Sequence, residues 1–299
     1  MGRTGVFSKA YEIARHFTLP IVLSKRTVGG ECSATIAAAV LINEDGWIVS
    51  AGHVFEEMIA LSEEESATQQ ALAAIAHIEA DASLNRQERR RSTAQARKPK
   101  KTAVERWSPW FGQPGRIERV LTIPGSDIGI AKLVDFKPVP GAVYPVFKDP
   151  TRGYDPGTSL CRLGFPFHHI VPTYDPENLL FRLPREAIPL PLFPNEGILT
   201  RFIELVPLDP ITLEELPPLQ VPRKTFETST AALPGQSGGP IFDAEARIWG
   251  IQSATISYSL DMNTPEQQYY HVGVGIHAET ILAIFKEHGI EYAAEPQEE

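Results

Sequence analysis

Two cysteines in 299 residues, Cys32 and Cys161, lie far apart and form no paired spacing of the kind that builds a zinc knuckle or a C-x-x-C redox centre. That scarcity excludes a disulfide-rich secreted scaffold and fits a reducing compartment. Positive charge is also in short supply: 28 Lys and Arg stand against 37 Asp and Glu, a formal net charge of -9. Such a surface does not bind nucleic acid or acidic membrane by default. No apolar run approaches the roughly 18 residues needed to span a bilayer. The opening "MGRTGVFSKAYEIARHFTLPIVL" is broken by Glu12, Arg15 and His16 and has no small-residue cleavage site, and Val6 stands where a myristoylation signal needs Ser or Thr. These absences lead to the expectation of a cytoplasmic protein with no membrane partner.

What is present is a chain that is 42% apolar and long enough for a substantial core. "SATIAAAVLINEDGWIVSAGHVF" reads as a strand, an Asn43-Glu44-Asp45-Gly46 turn and a second strand ending near His53. Beyond residue 100 come "RIERVLTI", "DIGIAKLV", "TSLCRLGFPF", "LLFRL", "ILTRFIEL", "KTFETST", "PIFD", "RIWGIQSATI" and "YYHVGVGI", short β-rich runs punctuated by Pro, Gly, Asn and Asp. That rhythm predicts an all-β barrel protein. "AETILAIFKEHG" then gives an amphipathic helix closed by Gly289, with an acidic tail after it.

Three segments break the β rhythm. From Glu56 to about Lys101, Met58, Ile59, Leu61, Leu72, Ile75 and Ile78 recur at helical spacings, which predicts a helical insertion. Its end, "RQERRRSTAQARKPKK" (residues 86–101), carries eight Arg or Lys against one Glu. It reads first as a solvated or disordered arm; docking to an acidic partner or nucleic acid is left open, without aromatics to stack bases. The span from Pro184 to Pro222 holds nine prolines, which predicts edge strands and long loops there rather than central strands.

"LPGQSGGPIF" fits two catalytic patterns. Gly235-Gln236-Ser237-Gly238-Gly239 satisfies the G-x-S-x-G elbow of α/β-hydrolases, and Gly-x-Ser-Gly-Gly-Pro satisfies the serine signature of trypsin-like proteases. The elbow needs a helix directly after the serine, but Pro240 and the strand-turn-strand "PIFDAEARIWGIQSA" follow. The elbow also needs its triad in the order Ser, Asp, His, so His271, His277 or His288 would have to be the base. The protease order is His, Asp, Ser, and His53 in "WIVSAGHVF", Asp127 in "GSDIGIAKL" and Ser237 supply it. In that chemistry His53 takes the serine proton and returns it to the leaving amine, Asp127 fixes the imidazole tautomer, and the amides of Gly235 and Ser237 form an oxyanion hole.

These motifs resemble the trypsin/chymotrypsin superfamily, and in particular the bacterial HtrA-like (Deg-type) trypsin-like peptidases. "INEDGWIVSAGHV" is similar to their Asp-Gly turn before the histidine, "AALPGQSGGPIFD" to their nucleophile loop and "VGVGIHAETIL" to their last strand and helix. The likeness implies two six-stranded antiparallel β-barrels with the site between them and peptide-bond hydrolysis without metal or cofactor. The expected layout is an N-terminal segment (1–28), a first barrel (29–150) with the insertion at about 56–106, a second barrel (151–276), and a C-terminal helix and tail (277–299), with no C-terminal PDZ domain. Gln236 replaces the Asp that activates digestive relatives, so activation by a new N-terminal amine is not expected.

By the same likeness Ala231 lies at the base of the primary specificity pocket and Ser253, Ala254 and Thr255 form a wall, facing the strand around Val272 to Gly275. That lining predicts a small or medium apolar preference. Partners are expected to be a protein or peptide substrate and a regulatory protein acting through the insertion, since an open protease would threaten its own cell. The competing function is a catalytically silent scaffold of the same fold. His168-His169 has no carboxylate or cysteine nearby in sequence to complete a metal site.

Overall fold

The computed structural model describes residues 5–112, 116–138, 140–203, 224–259 and 269–296. A short helix α1 (Ser8–Ala14) buries Ala10 and Ala14 and leads into the first antiparallel sheet. Its strands are β1 (Thr18–Thr27), β2 (Cys32–Leu41), β3 (Trp47–Ala51), β4 (Val104–Trp110), β5 (Arg116–Ile123) and β6 (Ile128–Val134), in the order β4-β1-β2-β3-β6-β5. The Asn43 side chain accepts from the amides of Asp45 and Trp47. That ties the turn and sets Val40 opposite Val49. No hydrogen bonds join β4 to β5 among the described residues, so the sheet is an open half-barrel.

Two helices follow β3: α2 (Gly52–Ala80) and α3 (Arg86–Gln95). At 29 residues α2 is about 43 Å long. It is seated by Val54, Phe55, Met58 and Leu61, all buried. Burial of a side chain such as Phe55 contributes roughly 1.5–3 kcal/mol. Polar ties to β4 hold the next turns: Arg106 pairs with Glu65 at 2.7 Å, and Gln69 donates to the Glu105 carbonyl at 2.8 Å. Beyond Thr68 no residue of α2 is buried.

The second sheet contains β7 (Val146–Phe147), β8 (Ser159–Arg162), β11 (Asn195–Ile203), β12 (Thr225–Thr228), β13 (Pro240–Phe242), β14 (Arg247–Ser259), β15 (Tyr269–His277) and β16 (Ala293–Ala294); β9 (Thr173–Asp175) and β10 (Leu180–Arg182) form a separate hairpin. The order β13-β8-β11-β12-β15-β14 is closed by pairing of β13 with β14, while β7 and β16 add to the outside of β14. Leu160, Leu199, Phe226, Ile241 and Trp249 fill this barrel. The terminal helix α4 (Ala278–Glu287) lays Ile281, Leu282 and Phe285 against the main core.

The all-β two-barrel expectation holds, with one barrel closed and one open. Several local expectations are corrected. The strand before His53 ends at Ala51, and the helix begins at Gly52, so His53 lies in the first turn of α2. The segment 1–28 contains a barrel strand, β1, because its apolar Ile21, Val22 and Leu23 are buried against β2. The basic stretch is not disordered over its first ten residues. Asn85 caps α3 by accepting from the amides of Gln87 and Glu88, and Glu88 returns a hydrogen bond to the Asn85 amide. The Pro-rich span holds β11, a central strand, because Pro194 falls just before it and no proline interrupts 195–203. The rest of that span, residues 204–222, lies outside the described residues.

His277 caps α4: its Nδ1 accepts from the Glu279 amide at 3.0 Å, and its ring packs 4.1 Å from that of Tyr154. Burial pushes its pKa down to about 4. The unfolded chain takes up that proton near pH 6.5, so between those values the unfolded state binds more protons and stability falls as pH drops. The expected loss from pH 7 to pH 4 is on the order of 3 kcal/mol. Thermal melts across that range check it, with a shallower fall in His277→Asn, which keeps a cap acceptor.

Candidate active site

The site forms where α2, β6, the nucleophile loop and β14 meet. Helix α2 has no side-chain cap of its own at Ala51. Asp127 supplies the missing acceptors: its carbonyl takes the Gly52 amide at 2.7 Å, and its carboxylate Oδ1 takes the His53 amide at 2.9 Å. The same Oδ1 lies 3.0 Å from His53 Nδ1, with Oδ2 at 3.3 Å. Asp127 adopts φ of 52°, a left-handed conformation that Asp tolerates better than most residues. The neighbouring chain approaches so closely that a Cβ on Gly52 would lie 2.9 Å from the Asp127 carbonyl carbon.

The hydrogen bond to Asp127 raises the His53 pKa above the ordinary imidazole value, against the desolvation that lowers it. For Asp127 burial pushes upward, but the bonds from His53 and Ser253 outweigh it and hold the carboxyl below its usual range. The Ser253 contact comes from a β-bulge. On β14, Gln252 pairs with Gly275 and Ala254 with Val274, so Ser253 is the extra residue and its hydroxyl donates to Asp127 Oδ2. The sequence motifs point to Ser253 as part of a pocket wall; its hydrogen bond as a second donor to Asp127 emerges from the bulge.

Ser237 is held across both barrels. Its carbonyl accepts from the Ala38 amide on β2 at 2.8 Å, while the amides of Gly238 and Gln252 bond to the carbonyls of Gln252 and Gly239 at 2.7 and 2.8 Å. The Ser237 hydroxyl makes no hydrogen bond among the described residues. Gly235 has φ of 94°, and a Cβ there would lie 2.4 Å from the Phe165 carbonyl oxygen, so glycine is needed. Gln236 and Gly239 donate to Leu233 and Gln236 carbonyls, whereas the Gly235 and Ser237 amides find no acceptor among the described residues. Two unpaired amides in one turn are what an oxyanion requires. Gln236 is fully buried, and its side-chain oxygen accepts from the Leu233 amide inside the same loop.

The Ala231 carbonyl accepts from Asn195 at 3.0 Å. Thr255 Oγ1 accepts from the Ala232 amide and donates to the Ala232 carbonyl, each at 3.1 Å, linking residues 253–255, the wall expected from the sequence, to the segment after Ala231. Behind these strands lies a charged side chain, Arg162. This residue of β8 is 1% exposed, and its Nη1 lies 2.2 Å from where a Cβ on Gly273 would stand, so the strand opposite Thr255 is backed by a guanidinium. His168 Nε2 meets the Pro191 carbonyl at 3.1 Å, and no group of three or more metal-ligating side chains occurs among the described residues. Cys32 and Cys161 are both free thiols. No helix among the described residues is long and apolar enough to cross a membrane.

The family model of the trypsin-like peptidase domain matches residues 37–251. No curated protein matches the sequence. Among solved structures, the Rv3671c protease from M. tuberculosis in its active form is 13% identical at a TM-score of 0.50, covering all of this chain and 95% of that one. Two structures of the HtrA-type protease AlgW with a tripeptide are 12% and 13% identical, with TM-scores of 0.48 and 0.46, over 95% of this chain. This chain spans 64% of the length of those AlgW chains. The family match covers well over half of the sequence and takes in His53 and Asp127 as well as the Ser237 loop, so this chain belongs to the trypsin-like peptidase family.

Proposed function

We propose that the protein is a serine endopeptidase in which His53, Asp127 and Ser237 act as the triad and the Gly235 and Ser237 amides as the oxyanion hole. The observation that carries this reading is the Asp127 carboxylate bonded at once to the His53 amide, the His53 Nδ1 and the Ser253 hydroxyl. That arrangement leaves Nε2 as the proton acceptor for the serine. Ser237 Oγ attacks the peptide carbonyl as His53 takes its proton. The oxygen becomes an oxyanion facing the two free amides, and the same proton passes to the departing amine. Water then hydrolyses the acyl-enzyme by the same exchange in reverse. Each oxyanion donor contributes about 2.7–4 kcal/mol to the barrier reduction.

Two features favour gated activity on a restricted substrate. The Thr255 bridge joins the pocket walls in the resting molecule. His53 is also part of the first turn of a helix with no buried residue beyond Thr68, so a partner that moves α2 moves the base with it. Such a partner is expected on the insertion, and the protein is expected to work in the cytoplasm.

Hydrolysis of a fluorogenic peptide library tests the reading. Cleavage is expected in the parent, unchanged by a metal chelator and absent in Ser237→Ala; equal cleavage by the folded Ser237→Ala protein contradicts the assignment. Because the base must be neutral, kcat/KM rises with pH through the raised His53 pKa. The acid limb is expected above the ordinary imidazole midpoint of about 6.5, and a midpoint below it would contradict the Asp127 pairing.

A further inference from the structure

On β8, Leu160 and Arg162 share the face that points into the second barrel, where Leu160 meets Leu199, Phe226 and Trp249. Arg162 thus carries a charge into an apolar interior. Its Nη2 donates to Thr228 Oγ1, a neutral partner, and its Nη1 has no hydrogen-bond partner. No salt bridge joins it to a carboxylate among the described residues. Glu227, the nearest acid along β12, is occupied by Arg201, Thr200 and Tyr258. Burial drags the guanidinium pKa down to about 10, a measure of its poor solvation. A buried cation without an anion is a costly arrangement that a ligand carboxylate would relieve.

The orphan nitrogen lies beside the strand that carries Gly273. Gly273 pairs with Thr228 on one side and Thr255 on the other. A Cβ at Gly273 would stand 2.2 Å from Nη1 and 2.7 Å from the carbonyl oxygen of Thr230, the residue before Ala231. Glycine is therefore what allows the guanidinium to reach the space between β15 and the Ala231 segment.

We propose that the pocket selects an acidic side chain: the substrate residue whose carbonyl is attacked is Asp or Glu, its carboxylate paired with Arg162 Nη1. Entry breaks the two Thr255–Ala232 hydrogen bonds and replaces them with a charge-assisted one, so the correct residue opens the pocket that it fills. The inference deepens the peptidase reading and rests on it only for the meaning of the site.

The test separates the two. In Ser237→Ala protein, calorimetry with peptides that end at Asp, Glu, Ala, Leu or Lys and are otherwise identical reads the pocket without catalysis. Peptides ending in Asp or Glu are expected to bind at least about tenfold more tightly than those ending in Ala or Leu. Ser237→Ala/Arg162→Gln is expected to abolish that difference. Equal affinities in the Ser237→Ala protein overturn the inference even if the Arg162 variant fails to fold, as does an acidic preference that persists in a folded Arg162→Gln protein. Fluorophosphonate labelling of the parent reports separately on the nucleophile. Labelling without acidic selectivity leaves the peptidase reading standing and removes this one; selectivity without labelling does the reverse.

Discussion

Replacing His53 by alanine is expected to lower kcat by about a million-fold, and replacing Ser237 as well should lower it little further, because the two act as one unit. The reason lies in the proton. A serine hydroxyl is a weak nucleophile at neutral pH, and its proposed base is held on a helix turn whose amides are capped by Asp127. Without the imidazole, Ser237 keeps its backbone ties to Ala38 and the free oxyanion amides, so the folded site should retain only the residual catalysis that those groups provide. Steady-state rates for the two single variants and the double variant check this. Single-variant losses that multiplied in the double would mean that His53 and Ser237 work separately.

Asp127→Asn is expected to cost about 10⁴-fold in kcat while leaving the fold in place. Asn keeps one acceptor, enough for the His53 amide and hence for the start of α2. Its amide group is a donor at the position of Oδ2, which accepted from Ser253 and lay 3.3 Å from His53 Nδ1. The imidazole then favours the tautomer with its proton on Nε2, which cannot receive one from Ser237. Asp127→Ala should instead lose both acceptors and loosen the helix start, lowering the melting temperature where Asp127→Asn does not. Rates and melts on the two variants distinguish tautomer control from helix capping. A rate for Asp127→Asn close to the parent's would remove Asp127 from the triad.

Local chemistry made much of the molecule readable from the sequence. Alternating apolar runs between turn residues marked β5, β6, β8, β11, β12, β14 and β15, and the order of three short motifs pointed to the His53–Asp127 pair that the structure joins. The elements that were hidden depend on contacts between distant segments. The start of α2 at Gly52 is hidden because its caps come from Asp127, 74 residues on. Strand β1 is hidden because its burial depends on β2 and on β4, which follows the insertion. The second donor to Asp127 required a bulge that shifts register at Ser253. Arg162 had a readable signal, a charge two residues after Leu160 in a β run, but its destination under Gly273 depended on barrel closure.

The most direct measurement is labelling with a fluorophosphonate, which forms a stable bond with an activated serine. Intact-mass analysis of the parent beside Ser237→Ala and His53→Ala, each verified as folded, reads the outcome. One adduct on the parent, located at Ser237 and missing from both variants, is the predicted result. Labelling that persists in His53→Ala at the parent rate, or that falls on another residue, would contradict the proposal that His53 activates Ser237.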